Sequence, residues 1–486
     1  MRKTRTIVLL LLAGLMVVTL AACSRSKATG TGTQPQGVTS AADVVTRVAG
    51  CPVPEINASK AKVVRLEKPG IAAQYPDGGF IVFLARSAGM VIENPQGLKY
   101  QALEARKYDK NQKLLWTKAF PELSDVCYAV AVTPDGGAVV VTDADYQTRS
   151  ELDMTSTGYL TKISAKGSVV WSDKLTKNYQ YIDTIKVARN GDLYTSGNYI
   201  RSSEQTGTVD AEGSWQHSAT DAYTAVALAR YDSGGKMLAH QIADVTDVNY
   251  GGGGGSSCTT AWREGTGLIA DFGVCCVCYD AELQKQWVYA YPDVPTDQSG
   301  GLPYDASFYL STSTMQLTGT NILISATNFA GTKARVLSLT FEGKLASSRE
   351  IALPADTISP YGGSSLTPVP DGRVVLGQSP SSGASRTQMS ILSKEATSTF
   401  ARFEAPLRID ELIPGEGGGF VVGYATFDDQ GNAAWYVIAK YTRAGKTQYQ
   451  RVFKAPSLEA MAAYGYPLLP YTYQILPSGL ILTFGS

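Results

Sequence analysis

Histidine and net charge are what this chain has least of. It contains only His217 and His240, and neither has a second histidine at H-x-x-x-H or H-E-x-x-H spacing. This nearly excludes a histidine-ligated zinc hydrolase. Lys plus Arg and Asp plus Glu both number 43, so the formal net charge is zero. Without a basic excess, counterion release cannot drive binding, and we expect no nucleic-acid partner.

The N-terminus carries an apolar segment from Ile7 to Leu20 behind a short basic stretch. This order is the layout of a secretory signal. An uncleaved transmembrane helix is the alternative, but residues 7–22 are fewer than the roughly 20 apolar residues that a span needs. Residues 1–22 are therefore predicted to be a signal peptide.

The signal ends in Leu20-Ala21-Ala22-Cys23, which matches the bacterial lipobox. The chain thus resembles bacterial lipoproteins, and the resemblance implies that the Cys23 thiol receives a diacylglycerol and its amine an acyl chain such as palmitate. More than one chain is needed, because a single one binds only marginally at about 0.8 kcal/mol per buried CH₂. We expect lipid anchoring outside the cytoplasm, to the cell membrane or, in a diderm host, to the outer membrane, which Ser24 permits.

Residues 23–42 are predicted to be a flexible tether, because the segment is rich in Ser, Thr, Gly and Gln and lacks apolar periodicity. It would lift the folded part off the membrane. A short helix is the expectation for Ala41 to Ala49. The remainder, residues 43–486, is predicted to be one domain.

A turn recurs about every 55 residues along the chain. Its seven copies begin with Tyr108 to Gln112 and end with Tyr441 to Gly445. Eight other turns alternate with them, as at Pro134-Asp135-Gly136-Gly137, and Asp-Gly or Asn-Gly pairs tolerate the positive φ angles of tight hairpins. Apolar runs flank these turns. Each repeat is therefore predicted to be two hairpins, which is four strands.

Repeated four-stranded units are typical of a β-propeller. We predict an all-β fold with a single propeller of eight blades, or seven if one weak repeat is an insertion. The chain stops after the second strand of its eighth repeat, Leu480 to Phe484, while an extra strand, Lys62 to Glu67, precedes the first repeat. We expect that N-terminal strand to close the ring, since open edges invite aggregation. A linear solenoid is the alternative.

The motif D-G-G-[FA]-[IV]-V-V, followed by K-[YI]-[DS]-x-x-G-x-x-x-W, resembles the quinoprotein-like (PQQ-like) propeller repeats of bacterial secreted and lipid-anchored proteins. The resemblance covers about Ile71 to Ser486. Two repeats depart from it: residues 251–290 have no glycine in the second turn, and residues 388–403 have no outer tryptophan. The resemblance implies the fold and leaves the function open, because propellers host unrelated activities.

Alternating strand direction places both tight turns of each repeat on one face and the longer connections on the other. Long loops on a rigid scaffold are where recognition usually occurs. Tyrosine and tryptophan suit stacking on sugars or peptides, although packing against the blades is the alternative for each ring. The predicted binding residues of this long-loop face are Tyr146, Tyr181, Tyr199, Trp215, Tyr250, Tyr304, Tyr361 and Tyr466.

Two other groups are predicted to be structural. Trp116, Trp171 and Trp287 share one position of the repeat and should pack between blades. Asp143 to Asp153 is an acidic loop without the D-x-D-x-D-G spacing of a calcium site. We therefore expect a solvated loop and no metal.

Six cysteines remain after Cys23, and an exported protein can form disulfides. They are Cys51, Cys127, Cys258, Cys275, Cys276 and Cys278. A Cys51–Cys127 bridge, a bridge near Cys258 and Cys275, a thiolate metal site and buried structural thiols all stay open, the last being preferred. In quinoprotein alcohol dehydrogenases, which the repeats resemble, an adjacent-cysteine disulfide lies against the quinone. Cys275-Cys276 is adjacent too, but in a predicted strand, where successive side chains face opposite ways.

These features predict binding rather than catalysis, with no cofactor. We expect a lipid-anchored, extracytoplasmic propeller that binds a cell-wall glycan, a peptide or an envelope protein through its long-loop face. One alternative is a scaffold subunit of an envelope assembly complex, similar in architecture to the propeller lipoproteins of outer-membrane assembly. The other is a quinoprotein-like redox enzyme that uses Cys275 and Cys276 beside a quinone and calcium.

Overall fold

The computed structural model of this chain is all-β. Within its described residues there is no α-helix, and the two short 3-10 turns are Ala58–Lys60 and Glu416–Gly418. No helix in that part of the chain has the length and apolarity to span a bilayer. The described residues are 45–84, 92–94, 97–98, 102–124, 127–142, 158–175, 179–200, 207–209, 215–217, 224–243, 258–272, 275–292, 308–328, 333–352, 364–368, 373–378, 387–392, 397–403, 407–428, 433–455 and 473–484.

The first half of the chain contains three short strands and then three sheets. The short strands are β1 (Val45–Arg47), β2 (Pro54–Ile56) and β3 (Val63–Leu66). Sheet 1 has β4 (Gly70–Gln74), β5 (Phe80–Leu84), an inserted hairpin of β6 (Ile92–Asn94) and β7 (Gly97–Leu98), β8 (Ala102–Tyr108) and β9 (Leu114–Ser124). Sheet 2 has β10 (Cys127–Val132), β11 (Ala138–Thr142), β12 (Tyr159–Ile163) and β13 (Val169–Lys174). Sheet 3 has β14 (Tyr179–Val187), β15 (Leu193–Ile200), an inserted hairpin of β16 (Gly207–Val209) and β17 (Trp215–His217), β18 (Thr224–Tyr231) and β19 (Met237–Ala243).

The second half continues the same series. Sheet 4 has β20 (Thr259–Arg263), β21 (Gly267–Asp271), β22 (Cys275–Tyr279) and β23 (Lys285–Ala290). Sheet 5 has β24 (Phe308–Leu317), β25 (Asn321–Asn328), β26 (Lys333–Thr340) and β27 (Leu345–Ala352). Sheet 6 has β28 (Ser364–Pro368), β29 (Val374–Gln378), β30 (Thr387–Leu392) and β31 (Thr397–Phe403). Sheet 7 has β32 (Leu407–Pro414), β33 (Phe420–Phe427), β34 (Ala433–Tyr441) and β35 (Thr447–Lys454), and sheet 8 has β36 (Tyr473–Ile475) and β37 (Ile481–Phe484).

Sheets 1 to 7 keep their four main strands in chain order, each strand beside its neighbour in sequence. The prediction of repeated four-stranded units is confirmed. The turn glycines behave as their sequence position indicates: Gly136 and Gly167 have φ angles of 78° and 79°. Where the second turn lacks glycine, Gln112 and Leu283 adopt φ angles of 66° and 60°. The turn geometry is therefore kept even without the residue that accommodates it best.

The second strand of sheet 2 shows why its sequence is an apolar run. β11 is buried throughout. Its Ala138 and Val140 pack with sheet 1, whereas Val139 and Val141 pack with sheet 3. Because successive side chains of a strand face opposite ways, a strand that is apolar on both faces belongs in a sheet covered on both sides. From sheet 1 to sheet 5, the apolar core of the described residues is accordingly a series of layers between consecutive sheets.

The described residues cluster into two compact units. The larger unit lies within Lys62–Ala326, Arg335–Arg349 and Pro456–Ser486, and the smaller unit lies within Met1–Ala61, Thr327–Ala334 and Glu350–Ala455. In the larger unit the first strands of sheets 1 to 5 contact one another in series, β4 with β10, β10 with β14, β14 with β20 and β20 with β24. This is the arrangement of blades that share an axis.

In the larger unit, the N-terminal strand pairs with the C-terminal hairpin. β3 runs parallel to β37, from Val63 opposite Ile481 to Leu66 opposite Phe484. Leu66 is buried in a cluster that also contains Phe80 of sheet 1. Hydrogen bonds and apolar contacts therefore join the start and the end of this unit, in the position that the sequence predicts for the extra strand.

In the smaller unit, β1 and β2 form a hairpin on the outer edge of sheet 7. β2 pairs with β35 through Ile56 opposite Gln450, and Gln450 Nε2 donates a hydrogen bond to the Pro54 carbonyl at 2.6 Å. The short helix expected for residues 41–49 is wrong over its described part, because Val45–Arg47 is a strand. Pairing with a strand edge distant in sequence decides this conformation, and local propensity does not reveal it.

Three tryptophans join one sheet to the next. Their indole nitrogens donate to carbonyl oxygens in the second turn of the following sheet, from Trp116 to Ala165 at 2.9 Å, from Trp171 to Ser233 at 3.1 Å and from Trp287 to Phe341 at 2.9 Å. Each ring also lies against the glycine of that turn: Gly167, Gly235 and Gly343. The predicted packing of these tryptophans between sheets is confirmed.

Candidate functional site

The structure describes part of the predicted long-loop face. Tyr181, Tyr199 and Trp215 lie on β14, β15 and β17, whose backbone is described and whose side chains at these positions are not. Tyr181 is opposite Asn198, so it is next to Tyr199 across the strand pair. Other residues for which the sequence predicts a role lie outside the described residues. They are Cys23, Tyr146, Tyr250, Tyr304, Tyr361, Tyr466 and the acidic loop at 143–153.

A group of polar side chains lies where sheet 3 faces sheet 4, on the strands that carry Tyr181 and Tyr199. The Ser196 hydroxyl on β15 is 3.4 Å from the Thr260 hydroxyl on β20. Ser196 also forms a hydrogen bond with the Cys258 thiol, just before β20. Asp183 on β14 is close enough for its charge to act on Cys258. We call Asp183, Ser196, Cys258 and Thr260 the sheet 3–4 polar cluster.

A β-bulge in β14 places Asp183. Ile182 is opposite Gly197 and Thr184 is opposite Ser196, so Asp183 is the extra residue between two register positions. A bulge disturbs the regular alternation of a strand and re-aims a side chain. Asp183 thus leaves the packing pattern of its neighbours, of which Ile182 and Ile185 are buried.

The same bulge recurs in other first strands. In β10 the extra residue is Tyr128, and in β32 it is Asp410. In each strand it precedes the last paired residue by the same interval as Asp183 does. A bulge that recurs at one position of the repeat is a regular feature of the fold and not a local irregularity.

Solvent reaches the Asp183 carboxyl, yet protein surrounds it. The side chain is exposed, while desolvation raises the pKa of the carboxyl to about 6. Among the described residues, no side chain forms a hydrogen bond or an ion pair with Asp183. Such a carboxyl changes its charge close to neutral pH, which is common at functional sites.

Cys258 is a poor candidate for a nucleophile. Burial raises the pKa of its thiol to about 12, and the charges of Asp183 and Asp271 act in the same direction, while the hydrogen bond with Ser196 opposes them. Because only a thiolate attacks, this thiol is unreactive near neutral pH. Its contribution to the cluster is therefore a small, weakly polar surface.

All six described cysteines are thiols in the structure. Cys275 packs in the layer between sheets 3 and 4, whereas Cys276 and Cys278 pack in the layer between sheets 4 and 5. The adjacent pair thus faces opposite sides of β22, as the strand prediction requires. Burial raises the pKa of Cys278 to about 11. Cys51 and Cys127 are buried in the cores of the smaller and larger unit respectively.

A second polar contact lies on the other face of sheet 4. The Tyr291 hydroxyl donates a hydrogen bond to Asp271 Oδ1 at 2.8 Å, and both side chains are buried. Within the described ranges, no three His, Cys, Asp or Glu side chains come together as metal ligands. The arrangement around sheet 4 thus offers hydrogen bonding and one accessible carboxyl.

Sequence reasoning missed Asp183. A single aspartate in a strand carries no motif, and its neighbours Ser196, Cys258 and Thr260 come from three other positions in the chain. The available signal is its interval before the first turn of the repeat, which it shares with Tyr128 and Asp410. That interval becomes meaningful only once the register shows the bulge.

The sequence matches no protein-family model and no curated protein. Among solved structures, the chain is similar to an acylaminoacyl peptidase of Pyrococcus horikoshii at 11% identity, with 84% of this chain and 54% of that chain covered and a TM-score of 0.41. It is similar to a hypothetical selenium-binding protein from Sulfolobus tokodaii at 9% identity, with 78% and 92% covered and a TM-score of 0.41. It is also similar to an uncharacterized protein from Listeria monocytogenes at 10% identity, with 80% and 97% covered and a TM-score of 0.36. Similarities of this size decide neither fold nor function.

Proposed function

We propose that this protein is a lipid-anchored, extracytoplasmic propeller of eight blades that binds a glycan, a peptide or a partner protein beside the sheet 3–4 polar cluster. Eight sheets in chain order support the blade number, and the pairing of β3 with β37 supports closure by the N-terminal strand. The lipobox at Cys23 supports the anchor.

The observation that carries the binding proposal is the position of Asp183. A bulge brings this carboxyl out of the regular alternation of β14 to an accessible place beside buried hydroxyls. β14, which carries Asp183, also carries Tyr181, and β15, which carries Ser196, also carries Tyr199. The sequence alone predicts both tyrosines to be binding residues. A small number of converging polar groups is a usual part of a ligand site.

A thermal-shift screen of the complete lipoprotein in neutral detergent tests this proposal. The probes are uncharged oligosaccharides and peptides, and only a ligand that favours the folded state raises the melting temperature. We expect at least one shift, and we expect Tyr199→Ala combined with Trp215→Ala to abolish it while the free protein stays folded. Tyr289→Ala on β23 is the control and should keep the shift. A shift that survives the double substitution would remove those two residues from the site.

Replacing Cys23 with serine tests the anchor. Cys23→Ser leaves the leader intact but removes the thiol that receives the diacylglycerol. We expect loss of palmitate labelling and movement of the protein from the membrane pellet to the soluble fraction, because the acyl chains supply the membrane affinity. Ser24→Ala should remain in the pellet. Unchanged labelling of the Cys23→Ser variant would contradict lipidation at this residue.

A further inference from the structure

Asp183 is the charged member of the sheet 3–4 polar cluster, and no described side chain neutralises it. Lys186 lies three residues further along β14, but desolvation alone shifts the pKa of each, so the two do not act as an ion pair. The nearby groups that are polar are the hydroxyls of Ser196 and Thr260 and the thiol of Cys258, all uncharged at neutral pH. The cluster therefore presents a single negative charge.

A partly desolvated carboxylate without a partner is costly in the folded protein. A ligand with a cationic group would offset that cost, because a charge-assisted hydrogen bond is shorter and stronger than a neutral one. An anionic ligand would increase the cost by repulsion. Divalent metal is the other cation to consider, but it needs several oxygen ligands, and the described residues bring no three acidic or other ligating side chains together.

We propose that the sheet 3–4 polar cluster binds its ligand through a primary ammonium group that pairs with the Asp183 carboxylate. This inference rests on the proposed binding function and narrows it to amine-bearing ligands. An ammonium group has three donors, and the accessible side of Asp183 takes one while the rest of the ligand meets the strand ends at Tyr181 and Tyr199. Amino sugars and lysine-containing peptides both supply such a group.

The inference requires Asp183 to be ionised. Its pKa of about 6 means that binding should be present at pH 7 and should weaken as the pH falls through 6. The other titratable or charged groups on these elements are Cys127 and Tyr128 on β10, Tyr179, Tyr181 and Lys186 on β14, Tyr194 and Tyr199 on β15, Cys258 and Arg263 at β20, and Asp271 on β21. No histidine is among them, so the pH dependence near 6 has one clear source.

Isothermal titration of the complete lipoprotein with matched probes tests the inference. The probes are trilysine, trilysine acetylated on its side-chain amines and on its N-terminus, chitotriose without acetyl groups and its fully N-acetylated form. We expect the amine form of one pair to bind about ten-fold or more tightly than the acetylated form, the usual effect of a charged hydrogen bond. Asp183→Asn should remove that preference, and Asp173→Asn on β13 should keep it. At pH 5, affinity for trilysine, whose side-chain amines stay protonated over this range, should fall about ten-fold.

The outcomes separate this inference from the binding proposal. Equal binding of acetylated and amine probes would overturn the ammonium pairing and leave a binding function in place. Binding of neutral probes in the thermal-shift screen, with none of the amine probes, would do the same. No binding in either experiment would overturn both. Binding restricted to trilysine or to chitotriose would identify a peptide or an amino sugar as the source of the ammonium group.

Loss of folding would not explain the expected result for Asp183→Asn. Because burial raises the pKa of Asp183, its ionised form disfavours the folded state above about pH 6, and this penalty disappears as the pH falls towards the ordinary aspartate value. The neutral asparagine should therefore leave the melting temperature at pH 7 unchanged or higher. The acetylated probes need no substitution at all, so they test the pairing independently.

Discussion

Gly235→Ala is expected to destabilise the protein clearly more than Gly265→Ala. Both glycines have a positive φ angle, 89° and 78°, so both variants carry the left-handed strain of about 1–2 kcal/mol. A Cβ at Gly235 would lie 2.5 Å from Cδ2 of Trp171, whereas a Cβ at Gly265 has nothing within 4 Å. The overlap should add about 1–3 kcal/mol, as overpacking usually does. Denaturant unfolding of the two variants measures the difference.

Trp171→Ala is expected to cost about 3 kcal/mol, the lower end of the range for a buried tryptophan, because this ring is half-buried. It also removes the hydrogen bond to the Ser233 carbonyl. The double variant Trp171→Ala with Gly235→Ala lacks the ring that causes the overlap. Its loss of unfolding free energy should therefore be smaller than the sum of the losses in the two single variants. Additive costs, or equal destabilisation by Gly235→Ala and Gly265→Ala, would show that ring and turn do not pack as described.

Leu66→Ala is expected to destabilise the larger unit by about 2–5 kcal/mol, the usual cost of removing a large aliphatic side chain from a core. Leu66 is 1% exposed and belongs to the cluster that includes Phe80 and Phe484. Arg65→Ala is the matched control, because Arg65 is exposed on the same strand. Thermal and denaturant unfolding should place the Arg65 variant close to wild type. Equal stability of the two variants would mean that β3 is not part of the core.

The turns and the strands were accessible from the sequence because they depend on local chemistry. Glycine at positive φ occupies hairpin turns such as those at Gly136 and Gly167, and an apolar run such as Ala138 to Val141 marks a strand. The role of Trp171 also followed from its repeat position. These features need only neighbours close in sequence, or a regular repeat, to be recognised.

The hairpin of β1 and β2 and the bulge at Asp183 were not accessible in that way. Val45–Arg47 is a strand because β2 adds to the edge of β35, almost the whole chain length away. Asp183 becomes a candidate binding residue because β14 has one residue more than β15 at this point of their pairing. Both facts are properties of pairing between segments, and pairing depends on which segments meet.

The sequence by itself determined the all-β repeat and the turn positions, because each follows from short patterns in the chain. Tertiary structure alone decided that Asp183, Ser196, Cys258 and Thr260 share one place and that β2 adds to the edge of β35. The physical reason is that a single residue acquires a partner, a desolvated environment or a shifted pKa only when distant strands pack against it.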